Sequence, residues 1–181
     1  MSDELNSIAD TQTAWAIDPT HTSVEFAVRN LFLFMVKGSI ATREGKIVID
    51  AADSRRSSVT VVLQAASIDS GNQRRDAHLC GADFLDADRY PEIRFHSRQV
   101  APGSDRDTLK IRGLLSIKDQ SREVILEVSE IDRSCSPSGE HVAYYSARTE
   151  LDRHAFGIRH MPGLIGRMLK VTINVQATRR E

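Results

Sequence analysis

Hydrophobic residues recur at every second position in seven segments of the chain. This spacing is typical of β-strands that turn one face toward an apolar interior and the other toward water. The inward sets are Val24, Phe26 and Val28; Val59, Val61, Leu63 and Ala65; Ile93 and Phe95; Leu109, Ile111, Gly113, Leu115 and Ile117; Val124, Leu126 and Val128; Val142, Tyr144 and Ser146; and Leu169, Val171, Ile173, Val175 and Ala177.

Turn-forming residues separate these segments, as at Asp18-Pro19, at residues 102–105 (PGSD) and at residues 136–139 (SPSG). Strands joined by such short connections form antiparallel sheets. No helical pattern is long enough to cover the apolar face of this sheet. The fold class is therefore predicted to be all-β, with the sheet closed into a barrel that leaves no free edge.

Two segments interrupt the alternation. Residues 72–81 (NQRRDAHLCG) have helical spacing, and Ser70 or Asn72 could cap the helix. Residues 156–166 (FGIRHMPGLIG) are glycine-rich and are predicted to form a loop. Because both lie between predicted strands, we expect both to cover an end of the barrel.

The length of 181 residues suits one domain, predicted over residues 15–178 after a flexible tail over residues 1–14. The net charge of −1 creates no field that would gather nucleic acid, so no nucleic-acid partner is expected. No run approaches the ~20 apolar residues of a membrane-spanning helix. The start of the chain contains Asp3, Glu4 and Asp10 and no apolar core, which predicts a cytoplasmic location.

Candidate chemistry is densest between residues 67 and 95, where Arg74, Arg75, Asp76 and His78 lie close together. These side chains could bind an anionic or polar head group. Alternatively, they could pair with one another and hold their own connection against the barrel rim. We favour this second interpretation.

Metal and catalytic motifs are weak. The six histidines show neither HxH nor HExxH spacing, so a zinc site is not expected; they are His21, His78, His96, His141, His154 and His160. Cys80 and Cys135 have no CxxC partner. There is no GxSxG elbow and no phosphate-binding loop. No catalytic residue, cofactor or metal is therefore predicted.

Five motifs carry a resemblance to a known family: DPTHTSVEF at 18–26, RDAHL at 75–79, ADFLD at 82–86, YPEIRF at 90–95 and RHAFGI at 153–158. In their order and spacing the chain resembles the YceI-like family of polyisoprenoid-binding, lipocalin-like barrels over about residues 15–177. The resemblance implies an elongated eight-stranded antiparallel barrel with short helical segments at its rim. It also implies a pore for a long isoprenoid or fatty-acyl ligand, with no cofactor. Members are often periplasmic.

The predicted function is non-enzymatic binding, transport or storage of one long apolar molecule. The predicted pore residues are Phe26, Val28, Val61, Leu63, Leu79, Phe84, Phe95, Leu109, Ile111, Leu126, Tyr144, Phe156 and Ile173. The predicted rim residues, which would select a head group or hold a lid, are His21, Arg75, Asp76 and His78.

Two alternatives stay open. One is an enzyme that acts on a lipid at the barrel mouth, with His78 or His21 as acid or base beside Asp76. The other is a stress-related interaction protein whose barrel is filled by its own side chains. A homodimer is left open as well.

Overall fold

The computed structural model describes residues 11–180. Ten strands make up most of this part of the chain: β1 Gln12–Ile17, β2 Ser23–Asn30, β3 Phe34–Ile40, β4 Thr42–Asp50, β5 Ser58–Gln64, β6 Glu92–Pro102, β7 Thr108–Ile117, β8 Gln120–Cys135, β9 Glu140–Asp152 and β10 Met168–Arg180. Helix α1 spans Gln73–Cys80, and short 3-10 turns lie at Ser54–Arg56, Ala65–Ser67 and Arg153–Phe156. No described helix has the length and apolar character needed to cross a membrane.

The strands form one closed antiparallel sheet. Neighbours follow the order β1, β4, β5, β6, β7, β8, β9, β10, and β10 pairs back to β1. Strands β2 and β3 extend the walls, because β2 pairs with the first half of β10 while β1 pairs with its last residues. β1 with β2, and β3 with β4, therefore act as two long bent strands. The predicted eight-stranded antiparallel barrel is confirmed.

The bend between β1 and β2 has a local cause. Gln12 pairs with Asp50, and Val24 pairs with Ile40. From the first pair to the second, the chain advances twelve residues through β1 and β2 but only ten residues between β4 and β3. The two extra residues fall in the connection after β1, where Pro19 cannot donate to a sheet. The Asp18 carboxylate accepts a hydrogen bond from the Thr20 amide at 2.9 Å, which closes the turn.

All seven alternating segments are strands, but one was assigned the wrong face. In β9 the inward residues include Ala143 and Ala147, which are buried, while Tyr144 is 37% exposed on the outside. The prediction that Tyr144 points inward is wrong because small alanines and not large side chains mark the inner face here. A shift of one residue exchanges the two faces of a strand.

Strands β1, β3 and β4 were missed as separate segments. The apolar alternation is interrupted in β3 by Lys37-Gly38 and in β4 by residues 42–46 (TREGK). Of the predicted tail, residues 1–10 lie outside the described residues. Its last residues belong to β1, which starts at Gln12 and pairs with the end of β4.

Both interruptions of the alternation lie over an end of the barrel, as expected, and the structure places them at the same end. The Asn72 side chain accepts a hydrogen bond from the Arg75 amide at 3.0 Å and caps α1. The segment after α1 places Phe84, Leu85 and Ala87 in one buried cluster with Ile158 from the loop before β10. We call this the covered end, and the opposite one, near Asp50 and Arg133, the open end.

Candidate functional site

The inside of the barrel contains a cavity of about 410 Å³. This volume lies within the range of ~300–1,000 Å³ that is typical of small-molecule sites. Every strand contributes inward side chains to the wall, and nearly all of them are aliphatic or aromatic. The predicted pore residues that line the cavity are Phe26, Val28, Val61, Leu63, Phe84, Phe95, Leu109, Ile111, Leu126 and Ile173.

Three predicted pore residues do not line the cavity. Tyr144 is on the outer face, as described above. Phe156 is 2% exposed and belongs to the packed cluster at the covered end. Leu79 packs against that cluster from α1. The helical and loop positions were assigned to the pore from their apolar character alone, which does not distinguish a residue that lines a cavity from one that covers it.

The interior is not filled by its own side chains. Buried apolar residues form three separate clusters, around Phe156 at the covered end, Ile111 in the middle and Trp15 near the open end. Away from the ends, inward residues that line the cavity, such as Val61, are only partly buried. An apolar side chain that points inward yet keeps accessible surface faces empty space. The alternative of a filled barrel is therefore wrong.

Two glycines shape the cavity wall. A Cβ atom on Gly38 would lie 2.5 Å from the ring of Phe26. A Cβ atom on Gly113 would lie 2.5 Å from the ring of Phe95 and 2.6 Å from the carbonyl oxygen of His96. Both contacts are far below van der Waals distance. The glycines thus let two phenylalanine rings lie against the wall instead of across the lumen.

The covered end is held by Arg153, whose side chain sequence reasoning did not single out. Arg153 is 3% exposed. Its guanidinium donates hydrogen bonds to the carbonyl oxygens of Ile158 and His160 at 2.9 Å, Ile165 at 3.0 Å and Gly166 at 2.8 Å. Burial lowers the pKa of Arg153, and Asp152 partly offsets that effect. One buried cation therefore fixes the whole loop before β10.

The open end carries the polar part of the wall. Arg133 and Glu130, both exposed on β8, border the cavity together with Tyr145, Ser54 and Ser57. Arg133 donates to both Glu130 carboxylate oxygens, at 3.1 and 2.9 Å, and the hydrogen bonds with Glu130 raise its pKa. Burial raises the pKa of Tyr145. An ion pair of Arg133 with Glu130 and a neutral phenol therefore lie where the lumen meets solvent.

Asp50, also at this end, is committed to its own turn. Burial pushes the pKa of Asp50 upward, but hydrogen bonds from the Asp53 and Ala52 amides and from Gln12, with the charge of Arg56, lower it overall. The amide bonds measure 2.9 and 3.0 Å. Asp50 closes the β4–β5 connection and has little capacity left for a ligand.

Thr42 is the exception on the apolar wall. It is 5% exposed, it borders the cavity, and its hydroxyl oxygen has no hydrogen-bond partner in the described part of the chain. A buried hydroxyl without a partner is costly. At Thr42 a polar atom of a ligand would be accepted without displacing a protein contact.

None of the predicted rim residues lines the cavity. Arg75 donates from Nε to the Ser70 hydroxyl at 2.7 Å and from a terminal nitrogen to the Ser70 carbonyl oxygen at 2.8 Å. Asp76 accepts a hydrogen bond from the Ser70 amide at 2.9 Å. These contacts hold α1 to the connection before it, which agrees with the favoured structural interpretation, although the shared partner is a serine and not an ion pair.

The two predicted rim histidines are separated from the cavity and from each other. His21 lies in the bend after β1 and pairs with Asp18 at 2.8 Å on the outer surface. His78 points from α1 to Asp83, with 3.1 Å between Nε2 and Oδ2. The carboxylate next to His78 is Asp83 and not Asp76. The predicted pairing of His78 with Asp76 as acid and base is therefore wrong. Arg133 and Tyr145 were missed because nothing in their local spacing marks them.

Comparison with known proteins identifies relatives over most of the chain. A model of the family described as YceI-like domain matches residues 15–177. A UPF0312 protein of Vibrio cholerae is 30% identical over 141 residues, which are 78% of this chain and 74% of that protein. A UPF0312 protein of Azotobacter vinelandii is 30% identical over 160 residues, covering 88% and 83% of the two chains.

Solved structures share the fold at low sequence identity. BcnA of Burkholderia cenocepacia superposes with a TM-score of 0.76 at 17% identity, over 88% of this chain and 98% of that one. The YceI protein of Campylobacter jejuni gives 0.69 at 23% identity, over 84% and 90%. A polyisoprenoid binding domain from Saccharophagus degradans gives 0.62 at 11% identity, over 90% and 97%.

Proposed function

This chain belongs to the YceI-like family, and from that premise we propose that it binds one long apolar molecule, of polyisoprenoid or fatty-acyl type, with the tail inside the barrel. The observation that carries the proposal is the apolar cavity that runs between the two ends of the barrel. The likeness to a polyisoprenoid binding domain supports the ligand class. In this proposal the protein carries or stores its ligand and does not transform it.

Binding energy comes from the tail. Each buried CH₂ contributes ~0.8 kcal/mol, whereas association costs an estimated ~4–15 kcal/mol. A short tail therefore binds weakly, and a long one binds well without any polar contact. Inward positions such as Leu63, Phe95 and Ile173 offer only carbon atoms, so the site selects by length and width and not by hydrogen bonding.

We place the polar end of the ligand at the open end of the barrel. There Arg133 offers a cation and Tyr145 a phenol at the cavity border. At the covered end, by contrast, Phe84, Leu85 and Ile158 are each less than 9% exposed. Arg133 donates to Glu130 from Nε and from one terminal nitrogen, so a carboxylate or phosphate would accept a charge-assisted hydrogen bond from the remaining N–H groups and stay in contact with water.

The test is a length series of prenols, from geraniol through farnesol to geranylgeraniol and longer chains, that displace a fluorescent fatty acid. We expect affinity to rise about fourfold per buried CH₂ and to level off when the cavity is full. Leu63→Arg should abolish binding because it buries a charge in the lumen. The matched control is Val62→Arg, on the same strand but pointing outward near Glu44.

Affinity that does not depend on tail length would overturn the proposal, as would equal loss of binding in Leu63→Arg and Val62→Arg while both proteins stay folded. Turnover of the added prenol or its phosphate, detected by chromatography, would instead support an enzyme.

A further inference from the structure

Two histidines and an aspartate meet at the covered end, outside the cavity. His78 is on α1, Asp83 is in the turn that follows, and His160 is in the loop between β9 and β10. The Nε2 atoms of His78 and His160 lie 3.1 and 3.8 Å from the same Asp83 oxygen, Oδ2. All three ligand atoms lie within 4.8 Å of one another. This is the one such group within residues 11–180.

The spacing suits a metal ion. Zn²⁺ binds imidazole nitrogen and carboxylate oxygen at ~2.0–2.2 Å, so neighbouring ligand atoms of a tetrahedral site are about 3.3 Å apart. Two of the three separations are near that value, and small side-chain rotations would adjust the third. His21 and Asp18 form another exposed pair, but no second histidine joins them. An isolated His–Asp contact therefore does not create a group of three ligand atoms.

The surrounding structure holds the three groups in place. Arg153 donates to the carbonyl oxygen of His160, which positions that residue from the buried side. The Phe84 ring packs edge-on against both imidazoles, with centroid distances of 5.0 and 5.3 Å.

We propose that His78, Asp83 and His160 form a binding site for a divalent transition-metal ion. Imidazole nitrogen favours zinc, copper, nickel and iron over magnesium and calcium. The side chains are 35–54% exposed, so an ion can enter from solvent and keep at least one position for water or another ligand.

The test measures Zn²⁺ binding by competition with a chromophoric chelator, and the visible spectrum of the Co²⁺ form. We expect one ion per chain, and at least about tenfold weaker binding in His78→Ala and in His160→Ala. The matched control is His96→Ala, which removes an equally exposed imidazole from the outer face of β6. Thermal melts without metal check that each variant is folded.

Binding of Zn²⁺ that is unchanged in both His78→Ala and His160→Ala, or that falls equally in His96→Ala, would overturn the site. So would a Co²⁺ spectrum typical of the fully hydrated ion. Because the readout is metal binding, failure of this site would leave the prenol experiment untouched.

A different surface at the same end carries a second inference. The hairpin between β2 and β3 ends in five consecutive exposed apolar residues, which we call the apolar tip: Leu31 49%, Phe32 78%, Leu33 83%, Phe34 64% and Met35 49% exposed. Leu164, 43% exposed, adjoins the tip through a hydrogen bond from the Leu31 amide to its carbonyl oxygen at 2.7 Å. Apolar surface of this extent marks an interaction site.

The backbone turns the tip outward at a conformational cost. Leu31 and Phe32 have φ angles of 51° and 61°, a region that residues with side chains rarely adopt. Arg29 and Lys37, both exposed, lie on the outer face of the same hairpin next to the tip, and the exposed Glu25 lies further from it. Large apolar groups beside two cations match the boundary of an anionic bilayer, where headgroup charge and acyl chains meet.

We infer that the apolar tip inserts into the surface of an anionic lipid bilayer. The overall charge of −1 does not drive this contact, because the attraction comes from Arg29 and Lys37 next to the tip. In co-sedimentation, the protein should bind vesicles of phosphatidylcholine with phosphatidylglycerol more tightly than vesicles of phosphatidylcholine alone. The double variant Phe32→Ser with Leu33→Ser should bind at least about tenfold more weakly.

The matched control is Ile131→Ser, which removes a 64% exposed residue from β8, at the other end of the barrel. Equal vesicle binding by wild type and the double variant would overturn the inference. A dimer that the double variant abolishes, without vesicle binding by wild type, would assign the tip to a second copy of the chain and would overturn it as well.

Discussion

The two ends of the barrel are closed by different chemistry. At the covered end Phe84, Leu85 and Ile158 are packed beneath α1 and a loop, and Arg153 binds the carbonyl groups of that loop. At the open end no helix crosses the lumen within the described residues, and Arg133 and its neighbours meet solvent. The covered end is therefore closed by packed side chains, whereas the open end is polar and accessible to solvent. The two ends of the cavity thus differ chemically.

The largest expected effect comes from the covered end. Arg153→Met keeps the volume of the side chain but leaves four carbonyl groups without their donor. Since unsatisfied buried acceptors cost about 1–3 kcal/mol each, we expect a loss of at least about 3 kcal/mol in the free energy of unfolding. Urea titration measures it, and hydrogen exchange should rise in residues 157–167. Arg122→Met is the control, because Arg122 is exposed. A loss equal to that of the control would contradict the assigned role.

A substitution between the two ends of the barrel tests the width of the lumen. Gly113→Ala places a methyl group 2.5 Å from the Phe95 ring, so the ring must move inward or the strand must shift. Overpacking of this kind costs about 1–3 kcal/mol. We expect a modest loss of stability together with weaker binding of wide ligands, measured with branched prenols against straight-chain alcohols of equal length. Unchanged selectivity would mean that Phe95 does not limit the width.

The open end is tested by Arg133→Ala. Loss of the cation should weaken the binding of a long-chain fatty acid about tenfold, the equivalent of one charge-assisted hydrogen bond, and should leave the uncharged alcohol of the same length unaffected. Arg75→Ala, at the other end, should change neither, because its guanidinium is held by Ser70. Sequence reasoning expected Arg75 to retune binding. A larger loss of fatty-acid binding in Arg75→Ala than in Arg133→Ala would mean that the polar end of the ligand lies at the covered end.

Thr42→Val should have a smaller effect on ligand affinity. This variant distinguishes binding by the tail alone from binding that includes a polar contact. The change removes the unpartnered hydroxyl and keeps the shape of the side chain. If the tail alone drives binding, affinity for prenols should stay equal or rise slightly. A several-fold loss in the same displacement assay would show that a polar atom of the ligand contacts Thr42.

The smallest effect concerns pH. Hydrogen bonds from Arg167, against a smaller opposing effect of burial, lower the pKa of Asp152 to about 2. A carboxyl with a lowered pKa stabilises the fold above its unfolded pKa, near 3.9, and loses that contribution as pH falls through the folded value. We expect the thermal midpoint to fall between about pH 4 and pH 2, and to fall less steeply in Asp152→Asn. Asp107→Asn, in the turn before β7, should behave like wild type.

Alternation predicted most of the wall, because inward residues such as Val61 and Ile111 must be apolar whatever the ligand. It failed at Tyr144, where two alanines mark the inner face, and at β3 and β4, where glycine and charged residues interrupt the pattern. The bend after β1 follows from Pro19 but its two-residue offset does not, since it depends on pairing with β4.

The arrangements that were missed at the covered end depend on elements that meet only in the folded chain. Arg153 acts on residues of the following loop, which no spacing rule describes. His78 and His160 meet only because α1 and the loop before β10 cover the same end, so a search for short histidine motifs could not find them. Arg75 and Asp76 are close in sequence, and that proximity suggested a head-group site although both are engaged with Ser70.

The most direct test of an empty, ligand-binding lumen is to extract the purified protein with organic solvent and to quantify the extract by mass spectrometry. Wild type should release close to one long-chain apolar molecule per chain, while Leu63→Arg, purified in parallel and folded, should release none. An extract without any such molecule, together with no uptake of added prenol, or equal amounts from both proteins, would contradict the account.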